Sequence, residues 1–234
     1  MNIKECLRMM GEKNASDLFY RAGGPARMRI DGRIVAVSDK ELSVEDAVSA
    51  VEAITTESQR QMFKEHLDVD FGLFLEDIKQ RFRVSIFTQR NTPSIVIRQI
   101  NRTANSFEEM GLPKDALEKL CNESRGLVLL TGSTGSGKST TIASMIEYIN
   151  TRHKKHILTI EEPIEFTFGD KQSIINQREL GPDVFSYQIA LKAFALQSPD
   201  VIYIGNIRDY ETMATAMTAA ETGVLVLSTL HTIN

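Results

Sequence analysis

A glycine-rich segment constrains this chain more than any other feature, because it fits the phosphate-binding pattern G-x-x-x-x-G-K-[ST]. It reads Gly-Ser-Thr-Gly-Ser-Gly-Lys-Ser over residues 132–139. The apolar run 127–130 before it predicts a buried parallel strand, and apolar residues between 142 and 149 recur at helical spacing. Strand, loop and helix in this order are the context in which the pattern binds phosphate. The alternative, a chance turn rich in Gly and Ser, does not predict both flanks.

The residues of this loop have separate predicted roles. Backbone N–H groups of the loop and of the helix start are expected to hold the phosphates of a nucleoside triphosphate. Lys138 is expected to reach the β- and γ-phosphates, and the Ser139 hydroxyl to bind Mg²⁺. We therefore predict a nucleoside-triphosphate site formed by Gly132, Ser133, Thr134, Gly135, Ser136, Gly137, Lys138, Ser139 and Thr140.

The composition indicates an ordinary globular protein and excludes several classes. The 234 residues are 42% hydrophobic and 25% charged, with a net charge of −4, so no overall basic surface for nucleic acid is expected. Cys6 and Cys121 lie far apart and the histidines do not cluster, which argues against disulfides and metal-ligand clusters. Neither a signal-type segment nor a membrane-spanning apolar run occurs. The cysteine pattern suits a reducing cytosol, and we expect any membrane association to be through a partner.

The order of predicted elements divides the chain into two domains. Residues 1–100 contain short helices and alternating strands, which predicts an α+β domain with an antiparallel sheet. The polar stretch 101–113 is predicted to be a linker. Residues 114–234 alternate helices with apolar strands, which predicts an α/β domain with a parallel sheet. The last predicted strand, 224–228, has no covering helix after it, so we expect the chain to be a fragment of a longer protein.

Polar motifs follow three predicted strands of the second domain. Residues 159–165, Thr-Ile-Glu-Glu-Pro-Ile-Glu, place carboxylates at the strand end where a parallel sheet binds its ligands. A carboxylate there can activate water; the alternative interpretation is an acidic, solvated loop. A second acidic motif is expected within 199–209, and residues 228–232 place His231 at another strand tip.

These motifs together resemble the secretion-ATPase superfamily and, within it, the PilT-type retraction ATPases of type IV pili. The resemblance extends over nearly the whole chain. The matching segments are 15–18, 29–32, 81–84, 89–90, 125–128, 132–139, 159–166, 176–179, 199–200, 208–209, 218–223 and 229–232. It implies a PAS-like N-terminal domain, a RecA-like P-loop ATPase domain, and a homohexamer with ATP between subunits. It also implies an inner-membrane pilus platform protein as partner.

The resemblance further implies roles for individual residues. Glu161 corresponds to the catalytic glutamate that activates water, and His231 belongs to a histidine box that senses the γ-phosphate. Arg208 ends the second acidic motif, and we expect it to be a catalytic residue together with Glu161 and His231.

Three arginines match N-terminal positions that can face the nucleotide of a neighbouring protomer. They are Arg81, Arg83 and Arg98. An arginine supplied across an interface can neutralise transition-state charge, and which of the three does so stays open. The alternative for Arg81 and Arg83 is a strand that alternates about Phe82 and places both on its solvated face.

The chain departs from the family pattern at three points. Asn206 stands where the second acidic motif normally has a glutamate that helps organise Mg²⁺ and water. Lys192 and Leu196 stand where the family usually has arginines, and the family's C-terminal region is absent after Asn234. Asn206, Lys192 and Leu196 favour an alternative in which the chain is a slow or inactive nucleotide-binding subunit that assembles with an active paralogous ATPase.

The branch of the family can also be predicted. Extension and type II secretion ATPases have longer N-terminal regions and a four-cysteine metal-binding insert, whereas this chain has only two scattered cysteines. This difference favours the retraction branch, and a type II secretion or pilus-extension ATPase remains the other alternative.

Overall fold

The computed structural model describes residues 2–100 and 104–232. The chain divides into two compact units, Met1–Ile100 and Asn101–Asn234. Residues 101–103 of the predicted linker and the end of the chain at Asn234 lie outside the described residues. Phe107, within the same predicted linker, is buried in the core of the second unit, and the linker assignment stays a prediction. No helix within the two described ranges has the length and hydropathy to cross a membrane.

The N-terminal unit is an α+β domain with an antiparallel sheet, as the sequence predicts, and its helices pack on one face of the sheet. Its helices are α1 (Ile3–Glu12), α2 (Val44–Ile54) and α3 (Glu57–His66), and its strands are β1 (Asp17–Arg21), β2 (Arg27–Ile30), β3 (Arg33–Ala36), β4 (Asp68–Leu75), β5 (Gln80–Gln89) and β6 (Thr92–Gln99). The strand order is β3-β2-β1-β6-β5-β4, with every neighbouring pair antiparallel. Strand residues such as Leu18, Phe82 and Ile97 are fully buried in one core with α1 and α2.

The second unit is built on a five-stranded sheet. Its helices are α4 (Lys114–Cys121), α5 (Lys138–Arg152), α6 (Tyr187–Phe194) and α7 (Tyr210–Glu221), and its strands are β7 (Gly126–Gly132), β8 (His156–Glu161), β9 (Ile174–Glu179), β10 (Val201–Ile204) and β11 (Leu225–His231). The strand order is β7-β11-β10-β8-β9, and all four pairings are parallel, which confirms the predicted parallel sheet.

Helices cover both faces of the parallel sheet. Ile142, Ile146 and Ile149 of α5 are buried with α4 against one face, at the predicted helical spacing. The apolar sides of α6 and α7 pack on the other face. Because both faces are covered, functional side chains must gather at the edge where the strands end.

Strand β9 is the main element that the sequence analysis did not predict. It lies at the edge of the sheet and pairs only with β8 among the described strands. Its sequence, Ile-Ile-Asn-Gln-Arg-Glu, has no continuous apolar run, and Ile174 is exposed. An edge strand needs apolar residues on fewer sides than a central one, so its pattern is weak. Strand β9 places Gln177 directly beside Thr159 of β8.

Candidate functional site

A cleft of about 380 Å³ opens at the edge where the parallel strands end. Its walls come from the glycine-rich loop, the start of α5 and the ends of β8, β10 and β11. The lining residues are Thr134, Gly135, Gly137, Lys138, Ser139, Thr140, Glu161, Glu162, Pro163, Glu165, Tyr203, Gly205, Asn206, Arg208, Thr229 and His231. The structure thus brings Glu161, Arg208 and His231 together with six of the predicted loop residues. Gly132, Ser133 and Ser136 belong to the same loop but do not line the cleft.

The glycine-rich loop turns directly from β7 into α5. Gly137 is the N-cap of α5 and has φ 91°, a left-handed conformation that favours glycine. Lys138 folds back over the loop, and its Nζ donates to the carbonyl oxygens of Gly132 at 2.9 Å and Ser133 at 2.7 Å. The N-terminus of α5, with its partial positive charge, therefore lies in the cleft beside a buried ammonium group. This arrangement suits the phosphates of a nucleotide.

Glu161 is the last residue of β8 and its side chain is buried in the cleft wall. Its Oε1 accepts hydrogen bonds from Thr159 Oγ1 at 2.7 Å and from Gln177 Nε2 at 3.1 Å. Its Oε2 accepts from the Glu165 backbone N–H at 3.4 Å. Burial raises the pKa of Glu161 to about 7, although these hydrogen bonds oppose the rise. A carboxylate with a pKa near neutrality is suited to taking a proton from water.

The raised pKa of Glu161 predicts a loss of stability as the pH increases. Its pKa lies at about 7 in the folded chain against 4.5 for the ordinary group. The protonated form therefore favours folding below about pH 4.5, and this contribution is lost as the pH rises through about 7. The expected loss is roughly 3 kcal/mol.

The Glu161→Gln variant should lack this pH dependence, because glutamine does not titrate. Chemical unfolding gives the free energy of unfolding of both proteins at pH 5 and at pH 8. The difference between variant and original chain should change between the two pH values. Other titrating groups are common to both proteins and cancel. A difference that stays constant between the two pH values would show that Glu161 titrates normally.

The end of β10 lies against the end of β8. A Cβ at Gly205 would lie 3.2 Å from the Cα of Glu161, so a side chain there would displace one of the two strands. The next residue is Asn206, whose Oδ1 is buried and has no hydrogen-bond partner among the described residues. On the rim of the cleft, Arg208 Nη1 lies 3.0 Å from Glu162 Oε2. This ion pair joins the segments that follow β8 and β10.

The residues at the cleft fit a magnesium ion better than a transition metal. Within residues 2–100 and 104–232 there is no group of three or more His, Cys, Asp or Glu side chains that could hold a metal. Mg²⁺ prefers oxygen donors and keeps several waters, usually binding through few protein groups and the phosphates of a substrate. The Ser139 hydroxyl is such a donor, and the unpaired amide oxygen of Asn206 can accept from a metal-bound water.

The three arginines predicted to act across an interface lie in the N-terminal unit. Arg83 and Arg98 are exposed and lie opposite each other on β5 and β6. Arg98 Nε lies 2.9 Å from Asp17, and Arg83 Nη2 lies 3.6 Å from Asp70. Arg81 is on the same strand as Arg83, two positions away, and fully buried Phe82 separates them. Arg83 is exposed, whereas Arg81 is half-buried and its Nε is buried. The action of any of the three on a neighbour stays a proposal.

Two polar residues of the site were not predicted from the sequence. Thr159 and Gln177 both donate to Glu161, and they lie side by side on β8 and β9. A signal for Thr159 was available, because residues two apart on a strand share a face. Gln177 lies in the family-matching segment 176–179, but its contact with Glu161 could not be predicted without knowing that β9 is a strand.

Known proteins resemble this chain along its whole length. The sequence matches the family described as Type II/IV secretion system protein over residues 2–234. It is 44% identical over 234 residues to the type IV pilus ATPase PilU of Pseudomonas aeruginosa, covering 100% of this chain and 61% of that protein. It is 40% identical over 232 residues to the type IV pilus retraction ATPase PilT of the same organism, covering 99% of this chain and 67% of that protein.

A solved structure supports the same relationship. The fold matches the crystal structure of the pilus retraction motor PilT with bound ADP at a TM-score of 0.92 and 45% identity. The match covers 99% of this chain and 67% of that one. The chain thus spans 61% to 67% of the length of PilU and PilT. From its sequence and its fold, the chain belongs to the Type II/IV secretion system protein family.

Proposed function

We propose that this chain is part of an ATP-binding and ATP-hydrolysing motor subunit that powers type IV pilus retraction. The observation that carries the proposal is the single cleft that holds both the phosphate-binding loop and the buried carboxylate of Glu161. The names of the relatives PilT and PilU, and the ADP bound to the matching PilT structure, support the same function.

The residues of the cleft divide the reaction between binding and proton transfer. The loop backbone, the N-terminus of α5 and Lys138 bind the β- and γ-phosphates. Glu161, with its pKa near neutrality, accepts a proton from the attacking water. His231, at the tip of β11 and beside Gly132 in the sheet register, contacts the γ-phosphate, and Arg208 stabilises charge on the rim. Mg²⁺, held through Ser139, would neutralise phosphate charge when it is bound.

The proposed assembly is a homohexamer in the cytoplasm, peripheral at the inner membrane through the pilus platform protein. In this ring ATP lies between subunits, and Arg81, Arg83 or Arg98 of one protomer acts on the nucleotide of the next. The exposed guanidinium groups of Arg83 and Arg98 support the proposal. Although Arg83 pairs with Asp70 and Arg98 with Asp17, the side chain of Arg83 is still 46% exposed and that of Arg98 is 69% exposed.

A second candidate function is a slow or inactive nucleotide-binding subunit that assembles with an active paralogue. The neutral Asn206 at the second acidic motif favours it. Lys192 and Leu196 do not line the cleft, and Leu196 is 89% exposed, so the support from the cleft itself rests on Asn206. A type II secretion or pilus-extension ATPase is the third candidate, and the branch prediction from the sequence argues against it.

Nucleotide binding should depend on Lys138. The Lys138→Ala variant loses the one lysine in the cleft lining, and a hydrogen bond to a charged group contributes about 1.5–3 kcal/mol. We expect ATP and ADP to bind about 10- to 100-fold more weakly in calorimetry. In cells, the same change in a retraction motor should leave surface pili in place and stop their withdrawal.

The exposed Lys119 on α4 provides a matched control, because Lys119→Ala removes the same charge outside the cleft. Unchanged nucleotide affinity in the Lys138→Ala variant would contradict the phosphate-loop assignment. If cells with the Lys138→Ala variant lose their surface pili, and do not merely fail to withdraw them, the result would favour an extension ATPase.

A further inference from the structure

We infer that Gln177 is a positioning residue that holds one oxygen of Glu161 and leaves the other free to accept the proton of the attacking water. The inference rests on the proposed function, because it assigns to Glu161 the role of base. It concerns a residue of β9 that does not line the cleft.

The orientation of the Gln177 amide is fixed by its neighbours. Its Oε1 accepts from the Phe168 backbone N–H at 2.9 Å, so its Nε2 must face the other way. That Nε2 donates to the Phe166 carbonyl at 2.8 Å and to Glu161 Oε1 at 3.1 Å. Both amide hydrogens and the oxygen are therefore used. A single side chain joins the edge strand, the acidic loop after β8 and the carboxylate of Glu161.

The two oxygens of Glu161 are not equivalent. Oε1 receives two side-chain donors, Thr159 Oγ1 and Gln177 Nε2. Oε2 receives only the long contact from the Glu165 backbone N–H at 3.4 Å among the described residues. The carboxylate is thus held at Oε1, whereas Oε2 is left able to accept a proton. Hydrogen bonds to the ionised form also favour the basic state of the group.

The parallel pairing of β8 with β9 explains why this contact forms. Thr159 and Gln177 are register partners, and Glu161 follows Thr159 by two residues on the same face. Because Gln177 is long and Thr159 short, the two donors reach the same oxygen from different strands. The edge strand therefore has a role in the site besides completing the sheet.

Other titratable groups belong to the elements around Glu161, and among them the charge of Glu165 raises the pKa of Glu161. They come from the acidic loop, α5, α6, β9, β10, the segment after β10, and β11. They are Glu162, Glu165, Lys138, Tyr187, Glu179, Tyr203, Arg208 and His231. A substitution at Gln177 leaves all of these groups in place, so its effect can be separated from theirs.

The test compares the original chain, Gln177→Leu, Glu161→Gln and the double variant. We expect Gln177→Leu to lower kcat for ATP hydrolysis about tenfold or more, since it removes a hydrogen bond to a charged group. ATP and ADP affinity should stay within about twofold, because Gln177 does not line the cleft. In the Glu161→Gln background the same substitution should cause no further loss. An additive loss in the double variant would overturn the inference.

A second readout does not depend on hydrolysis. The infrared band of the protonated Glu161 carboxyl, identified by its absence in Glu161→Gln, gives the pH midpoint of its ionisation. Loss of the Gln177 donor should raise this midpoint by about one pH unit. If the original chain does not hydrolyse ATP, the proposed function fails, and this midpoint alone decides the role of Gln177. An unchanged midpoint would overturn it.

Two further variants separate positioning from folding. Asn176→Ala changes the neighbouring residue, whose Oδ1 lies 2.9 Å from His156 Nε2 outside the site, and should change neither kcat nor the midpoint. Gln177→Met keeps a similar length without the donor and without a new charge, so it tests the same donor if the leucine variant does not fold. If Asn176→Ala lowers kcat as much as Gln177→Leu does, the effect is a general one of disturbing β9, and the inference is overturned.

Discussion

ATP hydrolysis by the Glu161→Gln variant should be slower by about a hundredfold or more, while ATP stays bound. Glutamine keeps the size of the side chain but cannot accept the proton of the attacking water. Glu161 is the acidic residue at the end of β8, and its buried carboxylate lies in the same cleft as the phosphate-binding loop. Turnover at saturating Mg-ATP and affinity by calorimetry measure the two quantities separately.

The neighbouring carboxylates provide the control for this prediction. Glu162 is partly exposed and pairs with Arg208, and Glu165 contacts Glu161 through its backbone N–H and raises the pKa of Glu161 through its charge. Glu162→Gln and Glu165→Gln should therefore lower turnover much less than Glu161→Gln does. Equal losses from all three substitutions would contradict a special role for Glu161.

The rate of ATP hydrolysis by the original chain should also fall below about pH 7, where Glu161 becomes protonated.

Elements with strong periodic patterns were predictable from the sequence, and the nucleotide cleft followed from them. Helix α5 has a full apolar side, and the glycine-rich loop before it needs left-handed residues such as Gly137. Once the parallel sheet was predicted, Glu161 and His231 were expected at one edge, because parallel strands end together there. The structure places both in one cleft.

Contacts between distant strands were not predictable in the same way. The pairing of Gln177 with Thr159 depends on β9, whose polar pattern gives a weak strand signal. The pKa of Glu161 depends on how deeply the fold buries it, which no local pattern reports. The close approach of Gly205 to Glu161 likewise joins strands separated in the sequence by a helix and an edge strand.

The Asn206→Glu variant should hydrolyse ATP faster than the original chain. Asn206 lines the cleft, and its buried Oδ1 has no partner among the described residues, so the position belongs to the cleft without supplying charge. A carboxylate there would hold the magnesium hydration shell more strongly than a neutral amide does. One well-placed group that stabilises transition-state charge contributes about 2.7–4 kcal/mol, which corresponds to about a hundredfold or more in turnover.

Charge and length must be separated before this gain can be assigned to the carboxylate. Asn206→Gln lengthens the side chain equally but leaves it neutral, so it should not accelerate hydrolysis. Lys192 and Leu196 stay unchanged in both variants and limit the gain if they act independently of Asn206. If the original chain turns over briskly and Asn206→Glu is no faster, the slow-subunit candidate is wrong. A gain confined to Asn206→Glu would instead show that the neutral residue at position 206 restrains an otherwise assembled ATPase site.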